Sequence, residues 1–240
     1  ALLAFLACLC LPTTPKATAG EREVIGHSVQ GRPIFSVRSG SPDASVTVLV
    51  VGAIHGDETA GMRIARRLIA AGAPGGAELV VVPTINPDGV AAHTRGNADG
   101  VDLNRNFPFR WQPLTGGEYS GPGPLSEPES QAAHRLILGT RPDVTIWFHQ
   151  PFGLIDRPGG NPFAARRFSQ LIGLPLVRLP GRYPGSASRW QHHRLPHTTA
   201  FVAELPRHVS GALVKRGATA VSKLAAELAS PEVGAGDEAG

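Results

Sequence analysis

The sequence is poor in cysteine, in clustered charge and in long apolar runs. Both of its cysteines, Cys8 and Cys10, fall within the first ten of 240 positions. A chain processed after that segment carries no thiol. Disulfides, thiol nucleophiles and cysteine-ligated metals are then excluded, and any metal site has to be built from His, Asp and Glu. The 23 Lys and Arg outnumber the 19 Asp and Glu by 4, but they are scattered singly and in pairs. With no basic run there is no nucleic-acid arm, only a mild attraction for acidic ligands. No apolar stretch approaches the roughly 20 residues of a membrane-spanning helix. Glycine (29) and proline (22) are frequent yet follow no period, which excludes a collagen-like chain. At 42% hydrophobic the chain is too apolar to stay unfolded, so the expectation is one domain with many turns and long loops.

The longest apolar run, Ala1 to Pro12, has the length of a signal-peptide core, and Ala17-Thr18-Ala19 fits a cleavage site before Gly20. The sequence starts with neither Met nor a basic segment, so the true start is expected upstream. A buried N-terminal helix is the competing reading. A lipid anchor on Cys8 is disfavoured, because Phe5-Leu6-Ala7 is a poor lipobox and the apolar run continues past it. The expectation is a leader over 1–19, an exported domain over 20–230 and a disordered tail over 231–240, with no membrane span once the leader is removed.

Within the domain, Glu23 to Ser28 and Pro33 to Arg38 flank Gln30-Gly31-Arg32 and predict a β-hairpin. Val46 to Ala53 is a continuous Val-rich run, the signature of a strand buried on both faces, and Leu79 to Ile85 is a second. Between them, Met62, Ala65, Leu68 and Ile69 keep helical spacing over Thr59 to Ala71. Residues 86–125 read as a loop too long to be a mere connection. Ser126 and Glu129 form a capping box that predicts a helix through Leu138. Further strands are predicted over Val144 to Phe148, Pro175 to Leu179 and Thr199 to Leu205, then a last helix with Val214, Val221, Leu224 and Leu228 on one face. Strands alternating with helices predict an α/β domain: a mostly parallel, mixed central sheet flanked by helices.

Polar residues sit where such a sheet would use them. His55 and Glu58 follow the first buried strand at i, i+3, His149 follows the strand from Val144, and Glu204 closes the strand from Thr199. The carboxyl ends of strands in an open α/β sheet converge on one crevice, where ligands bind. Two imidazoles and a carboxylate there match the His₂Glu set of a catalytic zinc site, whose fourth position is left to water. A lone His-x-x-Glu is a short pattern that recurs by chance. The histidines at 93, 134, 192, 193, 197 and 208 lack strand-end placement or a paired ligand and are read as surface or supporting residues.

The segment Asn86 to Pro108 adds Asn86-Pro87-Asp88-Gly89, Arg95 and Gly100-Val101-Asp102-Leu103-Asn104-Arg105-Asn106-Phe107-Pro108. With His55-Gly56-Asp57-Glu58, His149 and Phe201-Val202-Ala203-Glu204, in that order, the chain resembles the zinc metallocarboxypeptidase family from about Val46 to Leu205. Ser126-Glu127-Pro128-Glu129, Tyr183 to Trp190 and Glu204-Leu205-Pro206 point to the compact bacterial branch that includes murein peptide amidase. The resemblance implies one Zn²⁺ per chain on His55, Glu58 and His149, with Glu204 as general base and Arg95 stabilising the oxyanion. It also implies that Asn104 and Arg105 clamp the substrate's terminal carboxylate, that Asp102 buttresses His55, and that Tyr183 is the mobile tyrosine of the family. An Arg with an adjacent amide suits a carboxylate, and a carboxylate behind a ligating imidazole fixes its tautomer.

The implied activity is hydrolysis of an amide next to a free carboxylate, by a monomer acting on a peptide or murein peptide. Gly185 to Trp190 offers no acid to pair with a basic terminal residue, and Arg189 is read as an exposed loop arginine. Export and the murein branch together suggest cleavage between γ-D-glutamate and a diamino acid. Gln150, where an acid would suit a substrate amine, weighs against that preference. Two rivals remain: a deacylase of N-acyl amino acids from the related desuccinylase/aspartoacylase group, and a non-catalytic module that binds wall peptides.

Overall fold

The computed structural model describes residues 20–157, 162–181 and 183–230. The predicted leader over 1–19 and tail over 231–240 lie outside these residues. Eight strands form one mixed sheet in the order β1-β2-β4-β3-β5-β8-β6-β7. They are β1 (Glu21–His27), β2 (Pro33–Ser39), β3 (Val46–Val51), β4 (Ala77–Val82), β5 (Val144–His149), β6 (Phe152–Asp156), β7 (Leu176–Val177) and β8 (Thr199–Pro206). The four central strands β4, β3, β5 and β8 run parallel. The β1–β2 hairpin joins antiparallel on one side, and β6 joins antiparallel on the other with β7 parallel to it.

The period of two along a strand splits β3 between two cores. Val48 and Val50 enter a cluster with Ile64 and Leu68 of α1 (Ala60–Ala71), Phe168 and Ile172 of α4 (Pro162–Ile172), and Val221 and Leu224 of α6 (Gly211–Ala229). Leu49 and Val51 face the other way, towards Phe107, Trp147, Ala133 and Ile137 of α3 (Pro128–Thr140), and Trp190 of α5 (Ala187–Arg194). Burial on both faces is why these strands are unbroken apolar runs. From β3 the chain passes to β4 on one side and then, through β5, to the other. That reversal opens a crevice beyond the carboxyl ends of β3 and β5.

Several elements depart from the expectation. The capping box does not form. Ser126 Oγ donates to Glu127 Oε1 (2.6 Å), and Glu129 accepts from Val29 N (3.0 Å) and Asn97 Nδ2 (3.1 Å), while Glu127 takes the N-cap position with no side-chain bond. Both acids thus tie the long loop and the hairpin to α3. Residues 86–125 contain α2 (Pro87–Ala92) and two 3₁₀ turns, Leu103–Arg105 and Gly116–Glu118. β6, α4 and α5 add to the predicted set. β6 begins beside Pro151 and contains Gly153, which interrupt strand alternation, and the Arg-His-rich α5 has no strong apolar stripe. α4 does carry helical spacing at Ala164, Ala165, Phe168 and Ile172, broken visually by Arg166-Arg167.

Phe168 is fully buried between Phe148 and Phe201, with ring centroids 6.2 Å and 5.4 Å away. Phe168→Ala should therefore cost about 3–5 kcal/mol, the usual range for deleting a buried aromatic ring. Denaturant unfolding monitored by circular dichroism reads this loss, and an unchanged midpoint would contradict the packing.

Candidate metal centre and its cleft

β3 runs into a tight turn, Gly52 to Glu58, that puts His55 and Glu58 at the crevice. The turn packs against α2 so closely that a Cβ on Gly56 would lie 1.9 Å from the carbonyl carbon of Gly89. Only glycine fits there, which accounts for the His-Gly-Asp-Glu order. α2 is held by its cap: Asn86 Oδ1 accepts from Gly89 N (2.9 Å), and Asn86 Nδ2 donates to Gly96 O (3.1 Å). One side chain thereby starts the helix and positions the Arg95 segment.

His149, the last residue of β5, lies beside Glu204 of β8 in register. Glu58 stands between the two histidines: its Oε1 is 2.9 Å from His55 Nδ1 and its Oε2 is 2.9 Å from His149 Nδ1. Ligand atoms of His55, Glu58 and His149 all lie within 4.8 Å of one another, and all three residues are buried. Two imidazole Nδ1 atoms and a carboxylate aimed at one point fit a divalent cation, with room left for a water or substrate oxygen.

Asp102 supports this cluster from behind. Its Oδ1 is 3.0 Å from His55 Nε2 and accepts from Asn104 N (2.9 Å), capping the first 3₁₀ turn. Its Oδ2 accepts from Arg95 Nε (3.0 Å) and Nη2 (2.8 Å). Arg95 Nη1 reaches Glu58 Oε1 at 3.2 Å. Burial raises the Asp102 and Glu58 carboxyls, but their hydrogen bonds to His55, and to His149 for Glu58, hold both well below the usual range. Burial also opposes charge on His55, yet its bonds to Asp102 and Glu58 prevail and raise it. His149 is lowered by burial, which its bond to Glu58 only partly offsets. Ligation through His55 Nδ1 requires that nitrogen free of a proton, so cation binding and protonation of this ring oppose each other.

Glu204 lies in the same cleft with different surroundings. Its carboxylate takes a bond from Phe152 N–H, but Oε2 is buried with no partner among the described residues. Burial and the Glu58 charge push it up to about 7. Arg105, on the 3₁₀ turn, is buried and pairs through Nη2 with the exposed Glu118. Asn104 Oδ1 accepts from Ala187 N (3.0 Å), leaving its Nδ2 near His149 Nε2 at 3.5 Å. Tyr183 stands between two guanidinium groups, 5.5 Å from that of Arg105 and 5.1 Å from that of Arg189. A cleft of about 680 Å³ joins all of these groups except Asp102, which sits behind the wall. The structure therefore brings every sequence-selected residue to one place.

Two acids in the cleft wall were not anticipated. Glu118 comes from the long loop, where no periodicity marks it. Asp156 comes from β6, and its place at the end of Leu154-Ile155-Asp156 is visible only once that segment is read as a strand. Arg189, read as an exposed loop residue, is half-buried on α5 and lines the cleft. Gln150 lines the cleft too, but its amide is committed: its Oε1 accepts from Ala60 N (3.1 Å), and its Nε2 donates to Pro206 O and Arg207 O (3.2 Å each). None of the remaining described histidines lines the cleft: His134 packs against Trp190 (4.6 Å) and His193 against Phe109 (4.3 Å), while His93, His197 and His208 are exposed.

Because Asp102 fixes the ring that offers Nδ1, Asp102→Asn should weaken divalent-cation affinity about 10–100-fold without unfolding the chain. Competition with a chromophoric chelator measures this, and unchanged affinity would remove Asp102 from the site's support.

Comparison with known proteins gives a consistent set of relatives. Residues 44–136 match the succinylglutamate desuccinylase/aspartoacylase catalytic domain. Murein peptide amidase A of Escherichia coli K12 is 32% identical over 199 residues, covering 74% of this chain and 81% of that protein. The protein of the same name from Vibrio campbellii is 32% identical over 200 residues, covering 75% and 77%. Among solved structures, the murein-tripeptide amidase of Escherichia coli O157 superposes with a TM-score of 0.71 at 27% identity, covering 86% of this chain and 97% of that one. Carboxypeptidase A of Helicoverpa armigera shares the fold, with a TM-score of 0.74 at 19% identity over 88% of this chain and 68% of that one.

Proposed function

The chain belongs to the murein peptide amidase-like metallocarboxypeptidases, hydrolases of the zinc carboxypeptidase type, and from that premise we propose an exported zinc enzyme that cleaves the amide bond preceding a residue with a free carboxylate. Its substrate is a murein peptide, as the name of its relatives says of them, and the bond we assign to it lies between γ-D-glutamate and a diamino acid. The observation that carries the reading is Glu204: a buried carboxylate with an unpartnered oxygen, beside the His55-Glu58-His149 cluster in one cleft.

When bound by His55, Glu58 and His149, zinc lowers the pKa of water and polarises the scissile carbonyl. Glu204 Oε2 accepts the proton of the attacking water and passes it to the departing nitrogen, which leaves as an amine. Arg95, braced by Asp102, turns Nη1 to the carbonyl oxygen as negative charge develops on it. Asn104 Nδ2 and Arg105 hold the free carboxylate, which takes the place of Glu118 on the guanidinium. Tyr183 lies over that clamp and closes it from solvent. Export rests on the leader sequence. No described helix is long and apolar enough to cross a membrane.

The match of residues 44–136 to the desuccinylase/aspartoacylase domain supports a second reading, deacylation of N-acyl amino acids. A substrate panel separates the two. Chelator-sensitive cleavage of a γ-D-glutamyl-diaminopimelate peptide, lost on amidating the terminal carboxylate and restored by zinc, is the expected result. Turnover of N-acyl amino acids alone would favour the second reading. Zinc binding without any turnover would make the protein a peptide-binding module.

Glu204→Gln should keep stoichiometric zinc while kcat falls about 10²–10⁴-fold, the usual contribution of a general base. A protonated carboxyl cannot accept a proton, so wild-type kcat/KM should decline as pH falls through the Glu204 pKa. Bound zinc offsets the charge of Glu58 and moves this limb below the value near 7 that the carboxyl has without it. Activity retained by Glu204→Gln would end its role as base.

A further inference from the structure

The cations of the chain are unevenly placed. α1, α4 and α6, which cover one face of the sheet, carry eight Lys and Arg and a single acid, Glu227. The whole chain has a net charge of +4, so outside these helices acids outnumber cations. Seven of the eight are exposed: Arg63, Arg66 and Arg67 on α1, Arg166 on α4, and Lys215, Arg216 and Lys223 on α6. The eighth, Arg167, is half-buried and holds Glu227 through two bonds (2.6 and 2.7 Å), so the one acid of the layer is taken. Arg63 donates to Val209 O (3.0 Å). No hydrogen bond or ion pair engages the other six among the described residues, and Lys223 adds only its charge near Glu227.

This segregation runs against what the helices would prefer alone. Arg63 is followed by Arg66 and Arg67, three and four residues on, and like charges at these spacings destabilise a helix. The helix dipole favours an acid in the first turn. α2 and α3 have one there, Asp88 and Glu129, while α1, α4 and α6 have none. α6 packs against both α1 and α4. Packed helices lie about 8–10 Å apart, so the cations spread over a face about 20 Å wide and follow no single track. None of the large apolar side chains exposed among the described residues lies on these helices. Between α4 and α6 a recess of about 360 Å³ gathers Lys215, Arg216 and Lys223 with Thr219, a set of donors that suits a phosphate group. None of the eight cations lines the catalytic cleft.

We propose that the outer face of α1, α4 and α6 docks on a bilayer of anionic phospholipid, held by headgroup phosphates without insertion of the chain. A two-dimensional array of phosphates matches cations spread over three helices, whereas a linear polyanion would leave the outer two unmet. With no apolar anchor on the face, attachment is electrostatic, peripheral and reversed by salt. The recess beside Thr219 seats one headgroup phosphate. The cleft opens at the strand ends and the docking face lies on the side of the sheet, so a docked molecule keeps its cleft open. The proposal does not depend on which amide the cleft cleaves. An exported chain held in this way works at the membrane side of the wall.

Cosedimentation of the zinc-loaded full chain with vesicles of phosphatidylcholine and phosphatidylglycerol tests this. The bound fraction should rise with phosphatidylglycerol content and fall away in about 1 M salt, where the screening length is about 3 Å. Each cation near an anionic surface is worth about fivefold in binding. Lys215→Gln, Arg216→Gln and Lys223→Gln combined should therefore weaken it about 100-fold. Arg66→Gln with Arg67→Gln should weaken it about 25-fold by the same measure. Arg135→Gln with Arg194→Gln removes equal charge from exposed positions on α3 and α5, across the sheet, and should leave binding almost unchanged. All variants keep the apolar run before residue 20, so a difference between them reads the face and not that segment. Hydrolysis without vesicles should be the same in all. Binding that ignores phosphatidylglycerol content, or an equal loss in the two double variants, overturns the docking face. Binding of soluble polyphosphate chains without binding of vesicles overturns it too and makes the partner a polymer.

Discussion

A single buried carboxylate, Asp102, holds the working parts of this molecule in register. It is 1% exposed and bonds to His55 Nε2, to Arg95 through two guanidinium nitrogens and to the backbone of Asn104. Buried negative charge is stable only when so satisfied, and here each partner is itself a functional group. The bond to His55 fixes the tautomer that offers Nδ1 to the cluster. The bonds to Arg95 keep its third nitrogen beside Glu58. The cap on Asn104 fixes the turn that presents Asn104 and Arg105. Losing this carboxylate would remove one anchor each from His55, Arg95 and the turn that carries Asn104, so metal, oxyanion and carboxylate sites are coupled through one residue.

What Asp102 organises, the sheet delivers. The chain reverses its direction of strand addition between β3 and β5, so the ends of these strands have no crossover packed between them. His55 and Glu58 leave β3, His149 ends β5 and Glu204 occupies the next strand in register with it. The glycines of this region serve close approach: Gly56 lets the β3 turn lie on Gly89, and Gly185, at φ +65°, lets the α5 loop lie on Arg105, where a Cβ would meet the carbonyl oxygen at 2.0 Å. Two loops far apart in sequence are thereby pressed onto the clamp from opposite sides.

The parts legible in the sequence were those with a period or a fixed spacing. The Val-rich runs gave the central strands because burial on both faces leaves no polar residue to interrupt them, and strand-end polar residues gave the cluster. Ser126 and Glu129 misled because the same residue types that cap a helix also serve long-range bonds, here to Asn106, Asn97 and Val29. β6 was missed because a strand of five residues beside Pro151, containing Gly153, is too short for alternation to register. That omission hid Asp156, whose meaning depends entirely on which face of β6 it occupies. Glu118 could not be found at all, since its contact with Arg105 is set by the path of a loop without pattern.

The charges of the cleft follow an order that no local pattern contains. Arg95 is bound to Asp102 and Glu58, both held ionised by their neighbours, so its guanidinium stays fixed beside the metal cluster. Arg105 is bound to Glu118, which is 56% exposed at the side chain and so is weakly held and readily displaced by a ligand carboxylate. Among the described residues, Arg189 has no acid bonded to it and Glu204 has an oxygen with no donor. Going along the cleft, the cations run from fully compensated, through exchangeable, to open. Fixed dipoles and charges stabilise a changing substrate best where they need not reorganise, while recognition requires partners that the substrate can replace. The graded pairing meets both needs: rigid where bonds change, and free where the substrate's own charges must dock.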